Sequence, residues 1–149
     1  MIKLKENVKV VVATDQEYKL AKETFDAENI IKTGVGGLNV IKALQSVPTN
    51  TKILNFGYVG SNKIPKNTLV IIGESKMYHP NCEYEEPTYK LNGKVKCYTS
   101  NDFVLKTEIQ EPVVFDMELA YICALGYDVE AIKVVSDNLD YEEYEQNIK

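Results

Sequence analysis

Residues 8–25 read VKVVVATDQEYKLAKETF, and this stretch decides the fold class. Val8 to Ala13 is β-branched and almost continuously apolar, which suits a strand covered on both faces. Thr14 and Asp15 then offer N-caps to a helical stretch through about Phe25, with Tyr18, Leu20, Ala21 and Phe25 as its buried positions. Strand, short turn and helix open a βαβ unit. The pattern continues outward. A short extended piece, Asn29 to Thr33, leads into Gly34-Val35-Gly36-Gly37, followed by a helical stripe of Leu38, Ile41, Ala43 and Leu44 that ends before Pro48. Further strands are expected over 51–56, 67–73, 94–99, 112–115 and 129–135. The segment from Gly57 to Gly60 reads as a glycine-marked loop, and Lys76 to Asn92, broken by Pro80 and Pro87, as a long loop or edge excursion. DMELAYICALG, residues 116–126, reads as a helix with Asp at its start and Gly at its stop; the acidic tail from Leu139 reads as a short or frayed helix. The alternation predicts an α/β fold over residues 1–149, a single domain with a mixed, mostly parallel β-sheet flanked by helices.

Composition narrows the function. The 149 residues suffice for one substantial core, and 44% hydrophobic with 26% charged residues is ordinary for a globular protein. No apolar run approaches the ~20 residues that span a bilayer, and no leader pattern is visible, so a cytoplasmic protein without membrane association is expected. Net charge is −5, and all 17 basic residues are lysines. Nucleic-acid binders use basic patches and arginine forks, so a nucleic-acid partner is not expected. Cys82, Cys97 and Cys123 form an odd, scattered set that suits a reducing compartment better than a disulfide framework.

Ligands of open α/β sheets sit beyond the carboxyl ends of strands. Glu17, the Gly34–Gly37 turn, Asp102 with Phe103, Met117 with Glu118, and Ser136 with Asp137 all fall at such ends. Asp15 and Asp116 read as helix caps. Gly34-x-Gly36 before a helix is similar to a dinucleotide fingerprint, but Asn39 holds the place of the third glycine and no acidic residue follows at the ribose-binding distance. The turn reads instead as backbone N–H groups presented to a polar ligand, and no cofactor is expected. His79, Cys82 and Cys97 lack the paired spacing of a zinc site; a loop histidine and buried thiols are the simpler reading, with no metal.

Taken in order, these segments resemble the nucleoside phosphorylase/nucleosidase superfamily, and within it most closely the 5′-methylthioadenosine/S-adenosylhomocysteine nucleosidases. KVVVATDQEYKL resembles the family's first strand and acidic cluster, KTGVGGLNVIKAL its glycine turn and helix, and CYTSNDF its Ser-Gly-Asp-x-Phe segment. VVFDMELAYICALGYDVEAIKVVSDNLD resembles the most diagnostic stretch, a Met-Glu pair opening a helix and a strand ending in Ser-Asp. The resemblance runs from about Val8 to Asp140 with gaps, and Asn101 and Asn67 stand where the family has glycine. Family members are longer, with more chain between Phe25 and Ile30, near Asn92 and beyond the last strand.

The resemblance implies hydrolysis of a purine nucleoside's N-glycosidic bond, releasing adenine and a ribose derivative. It implies Asp137 as the acid that protonates the base, oriented by Ser136. It further implies Glu118 at the ribose hydroxyls, Glu17 as the water-activating carboxylate, Met117 beneath the sugar and Phe103 against the base. Gly36 and Asp102 are carried over as substrate-binding positions, and a homodimer is implied. The alternatives are a phosphorylase, disfavoured because no arginine is present to clamp phosphate, a nucleoside-binding protein with little turnover, and an unrelated small α/β domain.

Overall fold

The computed structural model describes residues 1–82 and 84–147. Strand β1 (Ile2–Lys3) precedes β2 (Val8–Val12), helix α1 (Asp15–Thr24), β3 (Phe25–Asp26), β4 (Ile30–Lys32) and α2 (Gly37–Leu44). Then come β5 (Lys52–Ser61), β6 (Leu69–Met77), β7 (Tyr89–Lys90), β8 (Val95–Thr99), β9 (Val113–Asp116), α3 (Leu119–Ala124), β10 (Asp128–Asp137) and α4 (Tyr141–Asn147).

The eight-stranded main sheet is mixed and closes on itself. Its order is β10-β6-β8-β9-β5-β2-β4, with β7 on β6, and β10 also pairs with β5. Five strands, β5, β10, β6, β8 and β9, therefore form a ring, while β2 and β4 extend from it. The antiparallel pairings are β10–β6, β5–β9 and β6–β7, and the others in this sheet are parallel. The long strand β5 makes closure possible. Its first residues lie between β2 and β10, and its last two, Gly60 and Ser61, turn to pair with Phe115 and Val114 of β9.

This corrects three expectations. The segment Gly57–Gly60 is not a loop; it is the interior of β5, pairing with Lys133, Val134, Val135 and Asp137 of β10. The helix expected from Asp116 begins only at Leu119, and Asp116 ends β9. The presumed loop from Lys76 contains the end of β6 and the short strand β7.

Period-2 alternation divides the core. Val10 and Val12 of β2, with Leu54 and Phe56 of β5, face α1 through Ala21 and Phe25. Val11 and Ile53 point the other way, into a larger cluster with Val40 and Leu44 of α2 and Leu119 and Ile122 of α3. The Phe25 and Phe56 rings meet edge to face at 5.1 Å, fixing the end of α1 against the sheet. Thr14, rather than Asp15, caps α1: its hydroxyl accepts from Glu17 N at 3.1 Å, while Glu17 takes the N-cap amide in return. Among the described residues no helix is long and apolar enough to cross a membrane.

Candidate active site

A cavity of about 250 Å³ opens where the ends of β2, β5, β9 and β10 meet. Glu17, Asp116, Glu118 and Asp137 line it, with Met117 and Phe103. Four carboxylates from three distant segments thus share one small volume, and no cationic side chain is among its described lining residues.

Each carboxylate is held by a different local device. Glu17 is set by the capping box of α1 and is only 7% exposed. Its Oε1 accepts from Ala13 N at 2.7 Å and its Oε2 from Tyr58 N at 2.8 Å. Gly57 makes room for this: a Cβ there would stand 2.3 Å from Glu17 Oε2. Burial raises the Glu17 pKa, and the nearby Lys133 ammonium opposes the rise.

Glu118 follows β9, and its Oε2 accepts from Gly36 N at 2.9 Å. Gly36 has φ +91°, a conformation that favours glycine and turns its amide toward the carboxylate. Burial pushes the Glu118 pKa up to about 8, and the negative charge of Asp116 adds to the effect. Asp137 ends β10 and is sealed from solvent. Ser136 Oγ donates to its Oδ1 at 2.8 Å and Leu139 N to its Oδ2 at 3.0 Å. Those bonds favour the carboxylate, yet burial outweighs them and the pKa is raised.

The residues singled out from the sequence fall into three groups. Glu17, Glu118, Asp137, Met117 and Phe103 line the cavity. Ser136 and Gly36 act from behind it, each hydrogen-bonded to one of the carboxylates. Asp102 is exposed, its N–H donating to Ser100 Oγ, and it borders a small adjoining cavity of about 30 Å³ shared with Asp137. His79 and the cysteines lie elsewhere. His79 pairs with Glu86 at 2.9 Å beside a larger groove of about 1030 Å³ that none of the four carboxylates lines. Cys97 and Cys123 are buried, whereas Cys82 is exposed, contrary to the expectation of buried thiols. Among the described residues no group of three or more His, Cys, Asp or Glu side chains is arranged to hold a metal ion.

Two features had been missed. Lys133 lies in β10 with 2% exposure, its Nζ 3.5 Å from Asp116 Oδ2. Burial disfavours its ammonium, but Asp116, Glu17, Cys97 and Glu118 together raise its pKa and keep it charged. A signal existed: Val129, Ala131, Lys133 and Val135 alternate along one buried face, so the lysine interrupts an apolar row. Asp116, read only as a cap, accepts from Leu119 N at 2.7 Å and from Thr99 Oγ1 at 2.5 Å as well as facing Lys133. The second feature is aromatic. Tyr141 and Tyr144 of α4 also line the cavity and pack edge to face on Phe103 at 5.2 and 5.5 Å.

No protein-family model and no curated protein matches the sequence. Solved structures do match the fold. MTAN from Chlamydia trachomatis bound to MTA superposes with a TM-score of 0.76 and 16% identity, over 99% of this chain and 90% of that one. The 5′-methylthioadenosine/S-adenosylhomocysteine nucleosidase from Neisseria meningitidis in complex with methylthio-immucillin-A gives 0.74 and 16%, over 99% and 92%. The Helicobacter pylori enzyme of the same name gives 0.75 and 12%, over 99% and 91%. The chain therefore has the fold of these nucleosidases, the one its sequence segments resemble.

Proposed function

We propose that this chain hydrolyses the N-glycosidic bond of a purine nucleoside of the methylthioadenosine type. The observation that carries the reading is the convergence of Glu17, Glu118 and Asp137, from three separate segments, on one small cavity. The cleavage needs a protonated leaving base, a stabilised oxocarbenium-like sugar and an activated water. Asp137, its pKa raised by burial, supplies a proton to N7 of the purine as the C1′–N9 bond breaks and its electron pair passes to the base. Glu17 takes a proton from water as the oxygen bonds to C1′; the products are adenine and a ribose derivative. Glu118 faces the sugar hydroxyls. With a pKa of about 8 it is poised near neutrality, and a developing positive charge on the sugar favours its ionised form. Met117 packs under the sugar and Phe103 against the base, while Ser136 and Gly36 orient the carboxylates. Asp102 completes the set at the rim.

Hydrolysis is favoured over phosphorolysis by charge. A phosphate entering this cavity meets carboxyl groups and no cationic side chain among the described lining residues, and the buried Lys133 is already engaged with Asp116. The same reading carries a cytoplasmic homodimer of one domain spanning 1–149, without metal, cofactor, nucleic acid or membrane partner. Val35, Leu38 and Ile41 form an exposed apolar stripe at α2, beside Gly36, that a second copy would cover. Sedimentation tests the dimer.

Incubation with methylthioadenosine, 5′-deoxyadenosine, adenosine and inosine, each with and without phosphate, tests the reaction. Free adenine without phosphate is expected. Release only with phosphate would move the chain to the phosphorylases, and nucleoside binding without release would make it a binding protein.

A further inference from the structure

Asp137 is placed by the turn that follows it as much as by β10. Each of its carboxylate oxygens takes a donor: Ser136 Oγ on Oδ1 at 2.8 Å and Leu139 N on Oδ2 at 3.0 Å. Oδ2 also rests against β5, where a Cβ on Gly60 would stand 2.8 Å from it. The turn that delivers the Leu139 amide passes through φ +65° at Leu139. That conformation strains a side-chain-bearing residue and persists only where its surroundings hold it.

Asn138 supplies the hold. Its side-chain amide has two N–H donors, and Nδ2 donates to two carbonyls, Ser61 O at 3.1 Å and Ile64 O at 2.8 Å. It therefore ties the end of β10 to the connection between β5 and β6. That connection is itself fixed: Ser61 Oγ accepts from Ile64 N at 3.0 Å and donates to Val113 O at 2.6 Å, and Asn67 N donates to Val135 O at 2.7 Å. The backbone N–H of Asn138 donates to Glu143 Oε1 of α4 at 3.3 Å, and Glu143 pairs with Lys66 of the same connection. Asn138 is exposed and is not among the described lining residues of the cavity, so it reaches a bound nucleoside only through its neighbours.

We propose that Asn138 is the positioning residue of the general acid, fixing the Leu139 amide on Asp137 and acting on turnover through that carboxyl group alone. This rests on the nucleosidase reading above and deepens it. A general acid works only within hydrogen-bond reach of the atom it protonates, and small misplacements lower the rate steeply. With the tie removed, Leu139 can relax from its left-handed conformation, its amide leaves Oδ2, and the carboxyl group loses its fixed orientation toward the base.

The test is a double-mutant cycle on the full chain, read by steady-state adenine release from methylthioadenosine. Asn138→Asp keeps size and shape but turns both donors into an acceptor facing two carbonyls; Asn138→Ala removes them with no new charge. Each should lower kcat by about 10–100-fold, less than complete loss of an acid, because the carboxyl group is still present. KM should stay within ~3-fold, since Glu118, Met117 and Phe103 are untouched. In an Asp137→Asn background there is no acid to position, so either Asn138 substitution should change the residual kcat less than ~2-fold. Thermal melts identify which variants are folded, and the alanine variant carries the test if the aspartate variant is not. A kcat within ~2-fold of wild type in a folded Asn138 variant overturns the inference. So does an equal loss in both backgrounds, the mark of a merely structural role, or a rise in KM with kcat unchanged. Those outcomes leave the nucleosidase reading standing, whereas wild-type protein that releases no adenine overturns both.

Discussion

Lys133 Nζ stands 3.5 Å from Asp116 Oδ2, with both side chains 2% exposed or less, and Asp116 lines the carboxylate-bearing cavity. The pair is the internal counter-charge of the site: Lys133 also lowers the pKa of Glu17 and Glu118 against the effect of burial. Removing one member of a buried pair leaves the other unpaired in a poor solvent for charge.

Lys133→Met should therefore destabilise the protein by roughly 3 kcal/mol at neutral pH, as expected for breaking a buried pair. The defect should shrink on acidification, because protonation of Glu17 and Glu118, both raised by burial, removes negative charge that Lys133 would otherwise balance. Urea denaturation of both proteins at pH 5 and pH 8 checks this. Lys133 itself gives no slope in that range: its pKa is raised above 10.5, so its contribution is complete there and declines only at strongly alkaline pH.

Glu118 gives a slope of known sign. Its pKa is raised from 4.5 to about 8, so between those values the folded chain holds a proton that the unfolded chain has released. Stability then falls as pH rises through that window. Glu118→Gln should flatten the fall and raise Tm at pH 8 by a few degrees, equivalent to about 1 kcal/mol. The same substitution should weaken both nucleoside binding and turnover. Thermal melts from pH 5 to 8 give the first result, and steady-state kinetics the second.

Asp137→Asn should separate binding from chemistry. The amide still accepts from Ser136 or Leu139 but carries no acidic proton, so nucleoside affinity should hold while kcat drops about 10²–10⁴-fold, the usual range for a lost general acid. Wild-type turnover in the folded variant would remove Asp137 from the role of acid.

Gly57→Ala should be inactive. The new Cβ would lie 2.3 Å from Glu17 Oε2, inside any permitted contact, so the carboxylate must leave the Ala13 and Tyr58 amides. We expect a stability loss of about 1–3 kcal/mol with loss of water activation. Calorimetry with the adenine-release assay checks both.

Much of this was legible in residues 8–25: the buried strand, the Thr14 cap and Glu17 at the strand end all stand where the sequence places them. Met117-Glu118 and Ser136-Asp137 were legible for the same reason, since each closes an apolar strand. The closure of the sheet was not. It depends on β5 continuing as a strand through Gly57 to Gly60, where it reaches β9, and those residues read locally as a turn. They serve instead to admit the carboxylates of Glu17 and Asp137 against the strand, a long-range requirement with no local signature. Lys133 was overlooked because a single lysine in a strand reads as solvent-facing until its alternation partners are aligned. Tyr141 and Tyr144 sit in an acidic tail whose composition gives no sign that Asn147 and Leu139 bind it over the cavity.

If water, activated among these carboxylates, cleaves the glycosidic bond, its oxygen must end on C1 of the sugar. Methylthioadenosine incubated with the protein in ¹⁸O-labelled, phosphate-free water shows whether it does. Mass spectrometry should find free adenine and one ¹⁸O atom at C1 of the ribose product at the first turnover, before the sugar exchanges its anomeric oxygen. Recovery of unchanged methylthioadenosine from folded protein, or a sugar phosphate formed only when phosphate is supplied, would rule out hydrolysis at this site.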